Sequence, residues 1–439
     1  MGNSFSYAIL LAWPLVSLLF YRNLPIIPAT FWTIVGGYLV LPVKVAIDAP
    51  LIPPLNKESL SAVAAFIGCV YVKKRKISFI PKIGIERWLV VILLLSPLIT
   101  VFNNREPIGI IAGLTAHDAL SAVINQYLIL LPFIIGLQLI KTYDDQLMLF
   151  KLLVMAGVIY SVFILFEIRM SPQLHTWVYG FFPHSFSQQV RFGGFRAVVF
   201  MGHGLLIAIF VALVLGAATL LWKEKIKTFH CFPSVIVIYF FVLLFLCKTV
   251  GAFLLGVFLL FSIAWMPVFI MKCSALFLIF VVLFYPVLLI FDLFPHQGLI
   301  DIAENFDVNR GESLAFRFFH EERLLEHVKE KIFFGWGWWD RNRLSDSITD
   351  GYWIIILGQY GIVGFGATFG LVILGVWRGM MVSRFIDYER QKRLLMSHAL
   401  IIAIVMIDQL PNASMASWLW FLSGALLGRA NSIVRIKYR

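Results

Sequence analysis

The sequence predicts an all-α protein, a single integral membrane domain over residues 1–439 built from about 12–13 membrane-spanning helices. Of its 439 residues, 60% are hydrophobic and only 14% are charged, and the apolar residues form continuous blocks. A helix crosses a bilayer with about 20 apolar residues, whereas the strands of a membrane barrel alternate apolar and polar positions. Continuous blocks therefore favour a helix bundle over a soluble domain and over a β-barrel.

The apolar blocks follow one another along the chain, and each is predicted to be one span. The first block, within MGNSFSYAILLAWP, has no basic stretch before it and no small-residue cleavage site, so we interpret it as a span rather than a removed signal peptide. Because the first and third blocks are short, both 12 and 13 spans remain open. The blocks begin after Ser6, Pro25, Leu60, Arg87, Ser121 and Leu147, and near Ala197, Phe232, Thr249, Ser274, Gly351, His398 and Ser417.

Basic residues in the connecting segments predict the orientation, because Lys and Arg mark cytoplasmic loops. The segments 73–87, 223–227 and 377–393 and the C-terminal tail are all strongly basic. All of them face the cytoplasm if the N-terminus is outside and the C-terminus is inside. The net charge of +12 is then a topology signal. Membrane lipids are therefore expected partners, and nucleic acid is not.

Three segments are predicted to lie outside. Residues 46–59 are rich in proline and predicted to be non-helical, residues 169–196 form a second external loop, and residues 294–350 form a large one. The large loop has eleven acidic and seven basic residues. This acidic excess fits an external position, and it means that the loop's arginines are not topology signals.

Part of the large loop is predicted to be a helix, from Glu312 to Lys331, because apolar residues recur there at helical spacing. Residues three and four positions apart are neighbours on a helix, so a second face carries the polar candidates. The members of this second face are Arg317, His320, Glu321 and Leu324.

Charged groups at membrane depth are costly, which makes them functional candidates. Arg191 and Arg196 stand at the external mouth of a predicted span, and His203, seven residues on, is predicted to share a helix face with Arg196. Arginine binds phosphate oxygens in pairs, but these arginines can equally extend to lipid headgroups while His203 is a satisfied polar group. Lys248 lies between two apolar blocks and either faces a cavity or extends to the membrane surface.

The stretch FFGWGWWDRNR, residues 333–343, combines tryptophans with charge. Aromatic rings stack on sugar rings and arginine binds phosphate, although an interfacial aromatic belt has the same composition. The candidates for glycan binding are Trp336, Trp338, Trp339, Arg341 and Arg343.

Asp350 precedes the next apolar block and is either a general base or a carboxylate that the helix dipole favours. The chain contains no Walker A loop and no HExxH motif, and no pair of its four cysteines has metal-ligand spacing. ATP-driven transport, a metal site and a cofactor are therefore not predicted.

Three of these segments together resemble the O-antigen ligase and polysaccharide polymerase family of bacterial inner membranes. RAVVFMGHG is similar to the family segment R-x-x-G-x-F-x-N-P-N, with histidine and glycine in place of Asn-Pro-Asn. LCKTVGA is similar to the family turn S-R-G-A, with Lys248 at the arginine position. The run from Arg317 to DGYW resembles the large external loop, with Asp350 near the place where ligases commonly have a histidine.

The resemblance implies a multi-pass protein of the bacterial inner membrane with the C-type fold of membrane glycosyltransferases. It implies a metal-independent enzyme that transfers a glycan from undecaprenyl diphosphate to a hydroxyl of another lipid-linked repeat unit. Residues 24–57 are similar to members associated with exopolysaccharide, so other proteins of an export system are expected partners. Under this implication the leaving diphosphate is stabilised by Arg191, Arg196, Lys248 and Arg317. The first candidates for the general base are Glu321 and Asp350, and the second candidates are His203 and His320.

Three alternatives to a repeat-unit polymerase remain. A ligase uses the same chemistry with a lipid A core as the acceptor. A transporter of lipid-linked sugars belongs to a different class, but transporters place polar sites near the membrane midplane, often in duplicated halves. This chain has its polar groups mainly at the external face and has no visible repeat. The third alternative is a structural subunit of an export assembly.

Overall fold

The structure, a computed structural model, describes residues 2–48, 53–229, 232–306, 308–338, 340–344, 346–348 and 350–437. Helices account for 73% of the chain, which confirms the predicted all-α membrane helix bundle. In chain order the helices are α1 (Ser4–Asn23), α2 (Ile26–Phe31), α3 (Gly37–Val40), α4 (Lys57–Ile67), α5 (Ile85–Phe102), α6 (Ala116–Leu139), α7 (Tyr143–Met170), α8 (Leu174–Tyr179), α9 (Gly204–Lys223), α10 (Pro233–Leu246), α11 (Val250–Trp265), α12 (Val268–Ile290), α13 (His296–Phe306), α14 (Val308–Lys329), α15 (Tyr352–Val382), α16 (Glu389–Asp408) and α17 (Ser417–Lys437).

The described strands are short and lie in connecting segments. Strand β1 (Ala46–Ile47) pairs antiparallel with β2 (Leu55–Asn56), and β3 (Val190–Arg191) pairs antiparallel with β4 (Gly194–Phe195). Two π-helical turns extend helices, one joining α2 to α3 and one following α4, and two 3₁₀ turns complete the regular structure. These turns are Trp32–Gly36, Gly68–Val72, Ser187–Gln189 and Ser383–Phe385.

All thirteen predicted blocks lie on helices of the described chain. Seven helices there have the length and hydropathy of a membrane span, namely α1, α5, α6, α7, α9, α12 and α15 with its 3₁₀ extension. The continuous segment Ile26–Val40 and helices α10 and α11 are apolar but shorter. The structure thus establishes a polytopic membrane bundle, and the count of 12–13 spans stays a prediction.

The core centres on α9, whose side chains are almost all buried, and on a close contact between α6 and α17. Small residues let these two backbones approach. A Cβ added at Gly424 would lie 2.0 Å from the carbonyl oxygen of Phe133, and one added at Gly136 would lie 2.3 Å from that of Phe421. Glycines at such contacts are typical of helix pairs in membranes.

The predicted start of α9 is wrong, because this helix begins at Gly204 and not near Ala197. Residues 196–203 are not helical, so Arg196 and His203 do not share a helix face. Val199 has φ +45° and Gly202 has φ +95°, left-handed values that a right-handed helix does not allow. The connection between α7 and α9, predicted to be an external loop over 169–196, therefore covers 171–203 and contains α8.

A buried carboxylate fixes this non-helical segment. Glu167, in α7, accepts hydrogen bonds from the backbone N–H groups of Val198 and Val199, both at 2.7 Å. The Tyr160 hydroxyl accepts a third from the N–H of Phe200 at 3.0 Å. These bonds satisfy backbone groups that would otherwise be buried without partners, and they stabilise the turn before α9.

The predicted helix of the large external loop is present as α14, with α13 before it. Leu324 lies on the predicted second face together with Arg317, His320 and Glu321. It is the apolar member of that face, 1% exposed and packed in the core where α14 lies against α15. Segment 46–59 is non-helical up to Asn56 in the residues described there, as predicted, and α4 begins earlier than expected, at Lys57.

Helix α15 is broken at Gly361, which has φ +64° and ψ −166°. Residues 332–337, from the end of the external loop, run beside this break. Ile362 and Val363 donate backbone hydrogen bonds to the carbonyls of Ile332 and Phe333, at 2.7 and 3.3 Å. In return, the N–H groups of residues 336 and 337 bond the carbonyls of residues 358 and 359. The loop thus satisfies the backbone groups that the break releases.

Candidate functional site

The principal candidate site is a cavity of about 260 Å³ where α12, α13, α14, the start of α15 and the turn after α16 meet. Most of its lining is apolar. Four residues predicted from the sequence lie together in its wall, namely Arg317, His320, Glu321 and Asp350. An apolar cavity with a few converging polar groups is the usual form of a small-molecule site.

Glu321 is the most constrained of these groups. The Tyr285 hydroxyl donates to its Oε2 at 2.7 Å, and the Trp353 indole nitrogen donates to its Oε1 at 2.8 Å. Burial raises the pKa of the Glu321 carboxyl, Asp350 adds to this effect, and the two hydrogen bonds and Arg317 oppose it. A held carboxyl whose pKa is raised towards neutrality is suited to proton transfer.

Arg317 and Asp350 form an ion pair across the cavity, with 3.5 Å between Nε and Oδ2. Their side chains are 41% and 45% exposed, so water screens the pair and it contributes little to stability. Asp350 lies just before the start of α15, where the helix dipole favours a carboxylate. Arg317 can therefore leave Asp350 for a stronger anion at small cost.

His320 is largely buried on the same helix. Its ring contacts those of Phe316 and Phe319, with centroids 4.3 and 5.4 Å away. Its Nδ1 is buried, and no described group makes a hydrogen bond to it. His320 is available as a second proton carrier, although the structure gives it no orienting partner among the described residues.

A second group of predicted residues lies near the turn between α10 and α11. Its members are Arg191, Arg196, His203 and Lys248. Arg196 is buried and donates from Nη2 to the Thr249 hydroxyl at 2.9 Å. Lys248 has φ +51° in this tight turn and donates to the carbonyl oxygen of Arg191 at 3.1 Å. Burial lowers the pKa of Arg196 to about 10, because desolvation disfavours the cation, so Arg196 remains charged at neutral pH.

His203 belongs to this second group in a structural role. Its Nδ1 accepts a hydrogen bond from the N–H of Leu205 at 3.0 Å, which caps α9. Burial, followed by the charge of Arg196, lowers the pKa of His203 to about 4. The imidazole is thus neutral at pH 7. No described hydrogen bond or ion pair joins this group to the cavity of Glu321.

Two of the predicted residues in the tryptophan-rich stretch are buried against the rest of the protein and expose little surface to a ligand. Trp336 is 7% exposed; its ring stacks on His327 with centroids 4.5 Å apart, and its nitrogen donates to the His327 carbonyl. Arg341 is 2% exposed and donates to the carbonyls of Ala112 and Glu106 at 2.9 and 3.0 Å. These contacts tie the loop to the connection between α5 and α6.

Two further residues of this stretch are only partly covered. The Trp338 ring meets that of Tyr360 edge to face at 5.1 Å, and Arg343 forms an ion pair with Asp340. Trp339 lies outside the described residues. Glycan binding by this stretch stays a prediction, and the burial of Trp336 and Arg341 leaves little of either side chain for a sugar.

Sequence reasoning missed a buried pair at the start of α4. Lys57 donates to the carbonyls of Tyr38 and Phe200, both at 3.1 Å. Glu58 accepts from the N–H of Ser417 at 2.6 Å, at the beginning of α17. The adjacent Lys and Glu that open an apolar block were the available signal, because charged groups there need partners.

Among the residues that the structure describes, no three His, Cys, Asp or Glu side chains lie close enough to hold a metal ion. Comparison of the chain with protein-family models, with curated proteins and with solved structures gives no match.

Proposed function

We propose that this protein is a membrane glycosyltransferase that joins undecaprenyl-diphosphate-linked oligosaccharide units into a polysaccharide on the periplasmic side of the bacterial inner membrane. The observation that supports this proposal is the cavity in which a held carboxyl, Glu321, lies beside a partly exposed guanidinium, Arg317. The family resemblance supplies the identity of the substrate.

The proposed reaction needs one base and one anion-binding group. The acceptor hydroxyl oxygen forms a bond to the anomeric carbon of the donor sugar, and its proton passes to the Glu321 carboxylate. The bond between that carbon and the diphosphate oxygen breaks, and the electron pair leaves with the lipid diphosphate. Arg317 stabilises the charge that develops on this leaving group.

The environment of each residue fits its assigned role. The Tyr285 and Trp353 donors hold the Glu321 carboxyl in one orientation, and burial makes it a stronger base than an exposed glutamate. Arg317 is partly exposed, and its one ion pair within the described residues is the 3.5 Å contact with Asp350, so a diphosphate can displace Asp350. The lining around Glu321 is mostly apolar, which gives few polar partners to a water that would compete with the sugar hydroxyl for the anomeric carbon.

The test is an assay with purified protein, a lipid-linked repeat unit and, separately, a lipid A core acceptor. Longer lipid-linked chains in the first mixture support a polymerase. Transfer only to the core supports a ligase and overturns the choice of acceptor. Movement of the lipid-linked sugar across vesicle membranes, without a new glycosidic bond, refutes the enzyme and supports a transporter.

A further inference from the structure

A second, larger cavity of about 470 Å³ lies where α5, α6 and α17 meet the basic segment between α4 and α5. This volume is within the usual range of about 300–1,000 Å³ for ligand sites. The cavity is lined by four cations and one carboxylate, together with several neutral polar groups. The four cations are Lys76, Lys82, Lys141 and Arg435.

This cationic cavity lies at the opposite end of the bundle from Glu321. Helix α15 connects the two ends, because Ile354 lines the first cavity and Arg378 bonds to a wall of the second. Those two residues are separated by 24 positions and lie on either side of the break at Gly361, and the unbroken stretch from Ile362 to Arg378 alone rises about 24 Å at 1.5 Å per residue. Helix α5 has the length of a membrane span and begins at Ile85 beside this cavity, so the cavity lies at the end of a span, at headgroup level.

The one acidic wall residue is already neutralised. Glu86 forms an ion pair with Arg378 at 2.8 Å and accepts a hydrogen bond from Asn431 at 2.9 Å. In contrast, no ion pair within the described part of the chain engages any of the four cations. The positive charge of the cavity is therefore available to an anion.

The walls of the cavity are fixed by hydrogen bonds. Ser78 and Gln138 exchange two bonds of 2.8 Å, which hold the basic segment against α6. Arg429 donates to the Lys141 carbonyl at 2.9 Å, and the Ser432 hydroxyl bonds the same oxygen, which holds α17 against the end of α6. The cations thus surround a formed cavity and are not simply spread along a loop.

An exposed apolar surface begins at the rim of this cavity. Ile83 lines the cavity and is 77% exposed, and Ile85 and Trp88 follow it on α5 at 58% and 65%. The same face continues along the span with exposed Ile92 and Leu95. A tryptophan beside basic residues at a helix end is typical of the membrane interface. The cationic cavity and the apolar face together are complementary to a phospholipid, which has an anionic headgroup and apolar acyl chains.

We propose that this cavity binds the phosphate group of an anionic phospholipid whose acyl chains lie along the exposed face of α5. Basic pockets between membrane helices recognise phosphate headgroups, and each Lys or Arg at a membrane surface strengthens binding to anionic lipid about fivefold. A free phosphate would satisfy the cations but would leave the apolar rim unused.

The experiment is a lipid titration of the purified full-length protein in neutral detergent, followed by native mass spectrometry. Phosphatidylglycerol, phosphatidylcholine and inorganic phosphate are the three probes. We expect phosphatidylglycerol to bind more tightly than phosphatidylcholine, and K76Q/K82Q to weaken phosphatidylglycerol binding about 25-fold. K76R/K82R keeps the charge and should bind as the wild type does.

The matched control is K74Q/R75Q, which removes the same charge from the same segment at positions that do not line the cavity. An equal loss of binding in this control would overturn the proposal, because it would indicate general attraction only. If K76Q/K82Q fails to fold, K141Q/R435Q tests the opposite wall. Wild-type lipid binding in that variant refutes the site, as does a phosphate effect without any lipid preference.

Discussion

Replacing Glu321 with glutamine removes the proposed base while keeping its shape. Loss of a positioned general base lowers turnover about 10²–10⁴-fold. Both present contacts have counterparts in the variant, since Trp353 can still donate to the amide oxygen and the Tyr285 hydroxyl can rotate to accept from the amide nitrogen. The free energy of unfolding should therefore change by only about 1 kcal/mol.

Activity is measured as chain length and turnover on lipid-linked repeat units, and stability as the thermal midpoint of the same preparations. Glu322→Gln is the control, because it removes the same charge from the neighbouring, exposed position. Wild-type turnover in the Glu321 variant, with the protein folded, would refute the assignment of the base. A fall in both variants would indicate a general effect of charge on α14.

The remaining predictions concern pH, Arg317 and the break in α15. Because burial raises the pKa of Glu321, turnover should fall as pH drops through a value above the ordinary pKa of about 4.3. The buried charge costs stability above that value, so any stability advantage of the glutamine variant should vanish in acid. Arg317→Ala should leave short lipid-linked units at normal protein levels, whereas Arg323→Ala, outside the cavity, should not. Gly361→Ala places a Cβ 2.3 Å from backbone atoms and should lower the thermal midpoint, whereas Gly366→Ala meets no atom within 4 Å and should not.

The fold class could be predicted because hydropathy alone determines it. Each predicted apolar block lies on a helix of the structure. Lys248 was correctly expected between two helices with almost no loop, since α10 ends at Leu246 and α11 begins at Val250. The start of α9 could not be predicted, because Ala197 to Met201 are as apolar as the helix itself. Their turn depends on a distant carboxylate, that of Glu167 in α7.

The candidate site was predicted in part. Helical spacing on α14 was enough to group Arg317, His320 and Glu321, and the structure adds Asp350 to them. The sequence offered no reason to place Arg196 and Lys248 in a different site from Arg317 and Glu321, because only tertiary packing decides which connecting segments lie close together. It also could not distinguish a buried structural arginine such as Arg341 from an exposed ligand-binding one, since both stand beside aromatic residues.

The break at Gly361 has a consequence for how the chain is synthesised and inserted. The loop segment 332–337 leaves the ribosome before α15 does, and the break lies about 14 Å along α15 from Tyr352. Unpaired backbone groups at that depth in lipid cost several kcal/mol each. The break is therefore stable at that depth only when residues 332–337 are paired with it. Substitutions in residues 332–337 should consequently reduce the yield of mature protein before they affect its chemistry.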